Sequence, residues 1–204
     1  MQSSLSIAGW YSLKPNSDDK KVSIPTTGRI GRLAQVIEKE LSRQTLLAVM
    51  KDLEQYTLTN DYAKKAAWIK TAIERLEELV GKEKTREIMK QCGRRCCGVT
   101  TRKKAKKLLH ESNSIQKFID KLNTTGIGGG RLRLKDNTIT GGYDHCYCGQ
   151  VKKTQEPFVS TTYCHCSVGW YKQLFETALE KPVEVEITQS IISGAKSCEF
   201  IIHI

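Results

Sequence analysis

Seven of the eight cysteines fall into three short clusters: Cys92, Cys96 and Cys97; Cys146 and Cys148; and Cys164 and Cys166. Thiolate sulfur is both a soft metal ligand and a strong nucleophile, so this grouping points either to a bound metal or to covalent chemistry. If Cys146 and Cys148 lie on a strand, residues two apart present their thiols to one side, with Cα atoms about 6.5 Å apart, which suits a shared ion. Cys164 and Cys166 come fifteen intervening residues later, at the expected start of a helix. The unpaired N–H groups and dipole of a helix N-terminus lower a thiol's pKa. Cys92 and Cys96, four apart in a helical segment, can face one direction, and nearby Arg94, Arg95 and Arg102 favour the thiolate. The expected ligand set is therefore Cys146, Cys148, Cys164 and Cys166, with Cys92, Cys96 and Cys97 as further ligands. Soft sulfur donors select zinc or an iron–sulfur cluster over magnesium or calcium. The usual zinc spacing of Cys-x2-Cys and the bacterial ferredoxin run are both absent, so the choice between the two stays open. Cys198, in phase with Phe200 and Ile202, reads as a small core residue.

The rest of the composition narrows the setting. A chain of 204 residues can bury a core without covalent staples, so disulfides are not needed for folding. No apolar run approaches the roughly 18 residues a membrane helix needs. The opening residues show no basic n-region and no continuous apolar stretch, so no secretory signal is read and a cytoplasmic location is expected. The formal net charge is +11, densest at Arg102-Lys103-Lys104-Ala105-Lys106-Lys107. This run lacks interleaved aromatics and accompanies no nucleic-acid motif, so it is read as a solvated helix face and nucleic acid is not the expected partner.

Three regions follow from the patterning. Residues 1–28 carry Pro15, Pro25, Asn16, Ser17 and Gly28 without a sustained period and read as an irregular arm that Trp10, Tyr11 and Leu13 pin to the body. Residues 29–125 are helical. Leu33, Val36, Ile37 and Leu41, then Leu46, Val49, Met50 and Leu53, recur at helical spacing. A longer stripe from Ala63 to Val80 is capped by Asn60 and stopped by Gly81. Shorter helices are predicted over 83–92, 101–110 and 114–123, the last capped by Ser114. Residues 126–204 change regime after three consecutive glycines, Gly128 to Gly130. Leu132 and Leu134 alternate with Arg131, Arg133 and Lys135, Asp136-Asn137 turns the chain, and the strand continues through Cys148. A helix over 167–180 ends before Pro182, and a second hairpin turns at Ser193-Gly194. The fold class is α+β: a helical N-terminal layer, then an antiparallel sheet with a helix between two hairpins.

From Tyr163-Cys164-His165-Cys166 through Gly169, Phe175, Lys181-Pro182-Val183-Glu184-Val185, Ser193-Gly194 and Cys198-Glu199-Phe200, the C-terminal part resembles the vinyl-4-reductase type of small-molecule-binding domain. The resemblance implies an antiparallel sheet with helices around an apolar ligand pocket. In phenol-sensing members it also implies a zinc held by a cysteine, a glutamate and two further cysteines. Aligned on Cys198, the first ligand falls at Cys164, but the glutamate falls at Ile187 and the middle cysteine at Ser190. Other thiols would have to supply the missing ligands. A weaker resemblance is to hydrolases of L-2-amino-thiazoline-4-carboxylic acid. It implies Cys164 or Cys166 as a nucleophile with His165 or His145 as base. By alternation, however, the ring of His145 faces away from the neighbouring thiols.

The expected function is binding of a metal or a small apolar ligand through clustered thiolates, as a sensor or carrier. The helical layer would complete the pocket or mediate a homodimer. A cysteine-dependent hydrolase and a basic nucleic-acid-binding protein are the alternatives.

Overall fold

The computed structural model describes residues 23–204. Trp10, Tyr11, Leu13 and most of the expected arm lie outside the described residues. The order begins with six helices: α1 (Gly28–Glu40), α2 (Arg43–Val49), α3 (Glu54–Thr57), α4 (Tyr62–Cys96), α5 (Val99–His110) and α6 (Ile115–Thr124). Then come β1 (Arg133–Lys135), β2 (Thr138–Tyr143), α7 (His165–Leu179), β3 (Glu184–Gln189) and β4 (Cys198–His203). The α+β expectation, with a helix between two hairpins, describes this order.

Local chemistry sets the element ends. Asp61, not Asn60, caps α4: its Oδ1 accepts from the backbone N–H groups of Ala63 at 2.8 Å and Lys64 at 3.4 Å. Gly81 takes φ 81° and ψ 160°, a conformation open to glycine, and breaks α4 into two segments end to end. The predicted stop is thus a kink, and the predicted helix over 83–92 is the second segment, extended to Cys96. Ser114 caps α6 as expected, accepting from Lys117 N at 3.2 Å.

The four strands are antiparallel in the order β1-β2-β4-β3. Tyr143 pairs with Cys198, the first residue of β4, and there the β2 ladder ends. Cys146 and Cys148 therefore lie in the loop beyond the strand, which corrects their placement on one strand face. The helix α7 starts at His165, two residues before its expected first position.

Two apolar cores result. One joins α1, α2 and α4 to Val151, Phe158, Tyr163 and Ile192 from the C-terminal region. The other packs α5, α6 and α7 on the sheet, with Phe118, Tyr171, Phe175, Phe200 and Ile202 fully buried. Both cores draw on residues before and after 125, the expected boundary. Among the described residues no helix is long and apolar enough to cross a membrane.

Candidate functional site

The site is organised by the crossing of α4 and α7. A Cβ on Gly93 would lie 1.8 Å from the carbonyl oxygen of Cys166, and one on Gly169 would lie 1.8 Å from that of Lys90. Each helix thus contributes a glycine where the other's backbone touches it. Beside this crossing Arg94 holds Glu176 with two hydrogen bonds, of 2.6 and 3.1 Å. One turn beyond Gly93 on α4, the thiol of Cys96 meets that of Cys166 in the first turn of α7.

These two thiols open onto a cavity of about 390 Å³ between the helices, the Gly126–Gly129 loop and the segment after β2. Six of the eight cysteines line it: Cys96, Cys146, Cys148, Cys164, Cys166 and Cys198. Aromatic wall comes from Tyr143, Tyr147, Tyr163 and Trp170, and cationic wall from Arg29. Cys92 and Cys97 point elsewhere and are buried in the two cores.

The electrostatics single out Cys96. Its thiolate receives a hydrogen bond from Cys166, and the charges of Arg29 and Arg32 add to this, so its pKa falls to about 5 against the opposing effect of burial. Arg32 Nη2 also donates to Cys96 Sγ at 3.4 Å. Cys166, as the donor to that thiolate and a buried group, is held well above the usual thiol range. Burial pushes Cys164 up to about 12, Cys92 to about 12, Cys97 to about 11 and Cys146 to about 11. The expected activation of Cys164 and Cys166 by the start of α7 is therefore corrected: desolvation outweighs the dipole at Cys164, and Cys166 serves as hydrogen-bond donor.

The thiols of the expected ligand set turn to separate partners. Cys148 Sγ lies 3.0 Å from Tyr163 Oη, Cys164 Sγ lies 2.9 Å from Ser190 Oγ, and Cys146 Sγ faces the Cys148 carbonyl at 4.0 Å. The donors are right in kind for a soft metal, but among the described residues no group of three or more His, Cys, Asp or Glu side chains converges for an ion. Cys164 and Ser190, two positions at which the vinyl-4-reductase resemblance implies ligands, are in contact; the second carries a hydroxyl in place of a thiol.

Neither His145 nor His165 lines the cavity. His165 turns toward α4, where burial and the charges of Arg86 and Lys90 depress its pKa to about 4, and its Nδ1 is buried without a hydrogen-bond partner. His145 is exposed and packs on the Tyr147 ring at 4.3 Å. The base assigned to either in the hydrolase reading is thus not beside a thiol. The lysines at 103, 104, 106 and 107 are exposed, as expected, with Lys106 paired to Glu180 and Lys107 to Glu111.

Sequence reasoning missed Arg29, Arg32 and the part played by Gly93 and Gly169. The two isolated glycines within helical patterns were the legible sign, since such a glycine usually has a packing reason. A family model described as a family of unknown function, DUF6144, matches residues 34–204, and the chain belongs to that family. No curated protein matches it.

Proposed function

We propose that this DUF6144 member binds a small organic anion with an aromatic or apolar body in the thiol-lined cavity. The observation that carries the reading is Arg29: its guanidinium stands in the cavity wall, contacts the Tyr163 hydroxyl at 3.5 Å, and among the described residues has no carboxylate partner. A partly desolvated cation in a cavity wall favours an anion there, because each lowers the other's burial cost. With Arg32 as a second cation against one Cys96 thiolate, the balance at this end is positive. The aromatic wall suits a flat apolar body, and the volume is at the small end of ligand pockets. The separate partners of Cys148, Cys164 and Cys166 favour an organic ligand over one shared metal ion. That neither His145 nor His165 lines the cavity weighs against thiol–histidine hydrolysis.

Calorimetric titration with benzoate and its uncharged analogue benzamide tests the reading. Benzoate should bind more tightly, and R29Q should lose that preference. A charge-assisted hydrogen bond contributes about 1.5–3 kcal/mol, or roughly 10- to 150-fold in affinity. Equal affinity for the two compounds, or an unchanged preference in R29Q, would overturn it.

A further inference from the structure

The pairing of Cys96 with Cys166 has more in it than a wall. Both are free thiols. They sit on different helices whose backbones touch one turn away at Gly93 and Cys166, and both line the cavity. Disulfides require Cα atoms about 4.4–6.8 Å apart, a separation that most helix pairs, packed 8–10 Å axis to axis, do not offer. The glycine crossing removes that obstacle where the two sulfurs meet. Arg32 donates to one sulfur, and Arg29 stands where it can hold an anionic group of an incoming molecule.

We infer that Cys96 and Cys166 form a working dithiol that exchanges with a small carboxylate-bearing disulfide bound in the cavity, Cys96 attacking and Cys166 resolving. In the first step Cys96 thiolate bonds to one sulfur of R–S–S–R, the S–S bond breaks, and R–S⁻ leaves with the electron pair. In the second step Cys166 gives its proton to that R–S⁻ and its sulfur attacks Cys96 Sγ, expelling the other R–S⁻, which solvent protonates. The protein dithiol is oxidised to a disulfide and the small disulfide is reduced to two thiols. The resting hydrogen bond prepares this order. While Cys96 is a thiolate, Cys166 keeps its proton as the donor to it. Once Cys96 is a neutral mixed disulfide that reason for keeping the proton is gone, and the Arg29 charge favours release.

The inference rests on the anion-binding reading for the carboxylates of its substrate, and a matched pair of probes separates the two. The full chain is treated with 3,3′-dithiodipropionate or with neutral 2-hydroxyethyl disulfide, then denatured, alkylated and mapped by mass spectrometry. A Cys96–Cys166 bridge should form with release of two small thiols per chain. C166S should instead accumulate a mixed disulfide at Cys96 with one thiol released, and C96S should leave Cys166 reduced. The carboxylate probe should react at least about tenfold faster than the neutral one, a ratio that R29Q collapses toward unity. If both probes form the bridge equally, the exchange stands and the anion preference falls. If C96S binds dithiodipropionate while wild type forms no bridge, or bridges either cysteine to another partner, the exchange is overturned and the binding stands.

Discussion

At Cys96 the largest influence is the hydrogen bond from Cys166; with the charges of Arg29 and Arg32 added, it outweighs the penalty of partial burial. The size of the gain is best read from pH dependence. At pH 7 a thiol of low pKa is fully ionised but intrinsically less nucleophilic, and with a Brønsted slope of about 0.4–0.5 the two effects nearly cancel. Below neutrality they part. Alkylation of Cys96 by iodoacetamide should keep its rate from pH 8 down to about 5, while a thiol of pKa about 8.5 slows tenfold per pH unit. R32Q should move the midpoint upward. A rate that titrates between pH 8 and 9 in the wild type would refute the assignment. The sequence displayed every cysteine but not which would be the acidic one, for a reason of magnitude: a helix dipole contributes about 0.3–1 kcal/mol, less than one pKa unit, whereas full burial moves a pKa by up to 3–5 units. Which cysteine is buried beside which arginine depends on Arg29 and Arg32 arriving from more than sixty residues away. His165 gives a second measurable consequence. Its pKa is depressed to about 4, from the ordinary imidazole value of 6.5. Between these values the unfolded chain binds the extra proton and the native state does not, so stability falls as pH drops from 6.5 to 4. Discounted for its partial exposure, the loss should be about 1–2 kcal/mol, and denaturant titrations at the two pH values should show a smaller loss in H165Q.

Among the elements, the crossing of α4 and α7 decides where the chemistry sits. Gly93→Ala and Gly169→Ala each place a methyl where a backbone carbonyl lies, so the helices must separate. Overpacking of this kind costs about 1–3 kcal/mol, and G93A should also disrupt the meeting of Cys96 with Cys166, slowing formation of their disulfide. Gly149→Ala, where an added Cβ meets nothing within 4 Å, should stay within about 0.5 kcal/mol of wild type. Chemical denaturation of the three variants provides the comparison; equal costs would show that backbone contact is not what the glycines provide. Most of the elements were legible because their signals are local: helical spacing in α1, α4 and α6, the Ser114 cap, and the hairpin at Asp136-Asn137. The end of β2 was not. The run Tyr143-Asp144-His145-Cys146-Tyr147-Cys148 reads as continuing strand, but a strand lasts only as long as its partner, and β4 begins at Cys198 opposite Tyr143. Register with a segment more than fifty residues away is tertiary information that local alternation does not carry.

For the whole molecule, the change of regime at residue 126 suggests a helical layer beside a separable C-terminal domain, whereas the cores interleave across it. Val151, Phe158, Tyr163 and Ile192 fill the core that α1, α2 and α4 build, while Phe118, Ile119 and Leu122 of α6 fill the core over the sheet. The cavity inherits this arrangement, with Arg29 and Cys96 from the helical part and Cys148, Cys166 and Trp170 from the other. A fragment spanning 126–204 would lose the three fully buried α6 side chains from its own core. At about 1.5–3 kcal/mol for each large apolar side chain, that loss is about 5–9 kcal/mol, comparable with the 5–15 kcal/mol that stabilises a typical domain. It would also expose Val151, Phe158 and Tyr163 to water. The isolated fragment should therefore show no cooperative thermal transition by far-ultraviolet circular dichroism. The full chain should unfold in one step, with coincident midpoints for helix signal and tryptophan fluorescence, because Trp68 lies in one core and Trp170 packs against the other. A cooperative melt from the fragment alone, or two separated midpoints in the full chain, would mean that the cores fold independently and that the cavity lies at a joint between two bodies instead of within one.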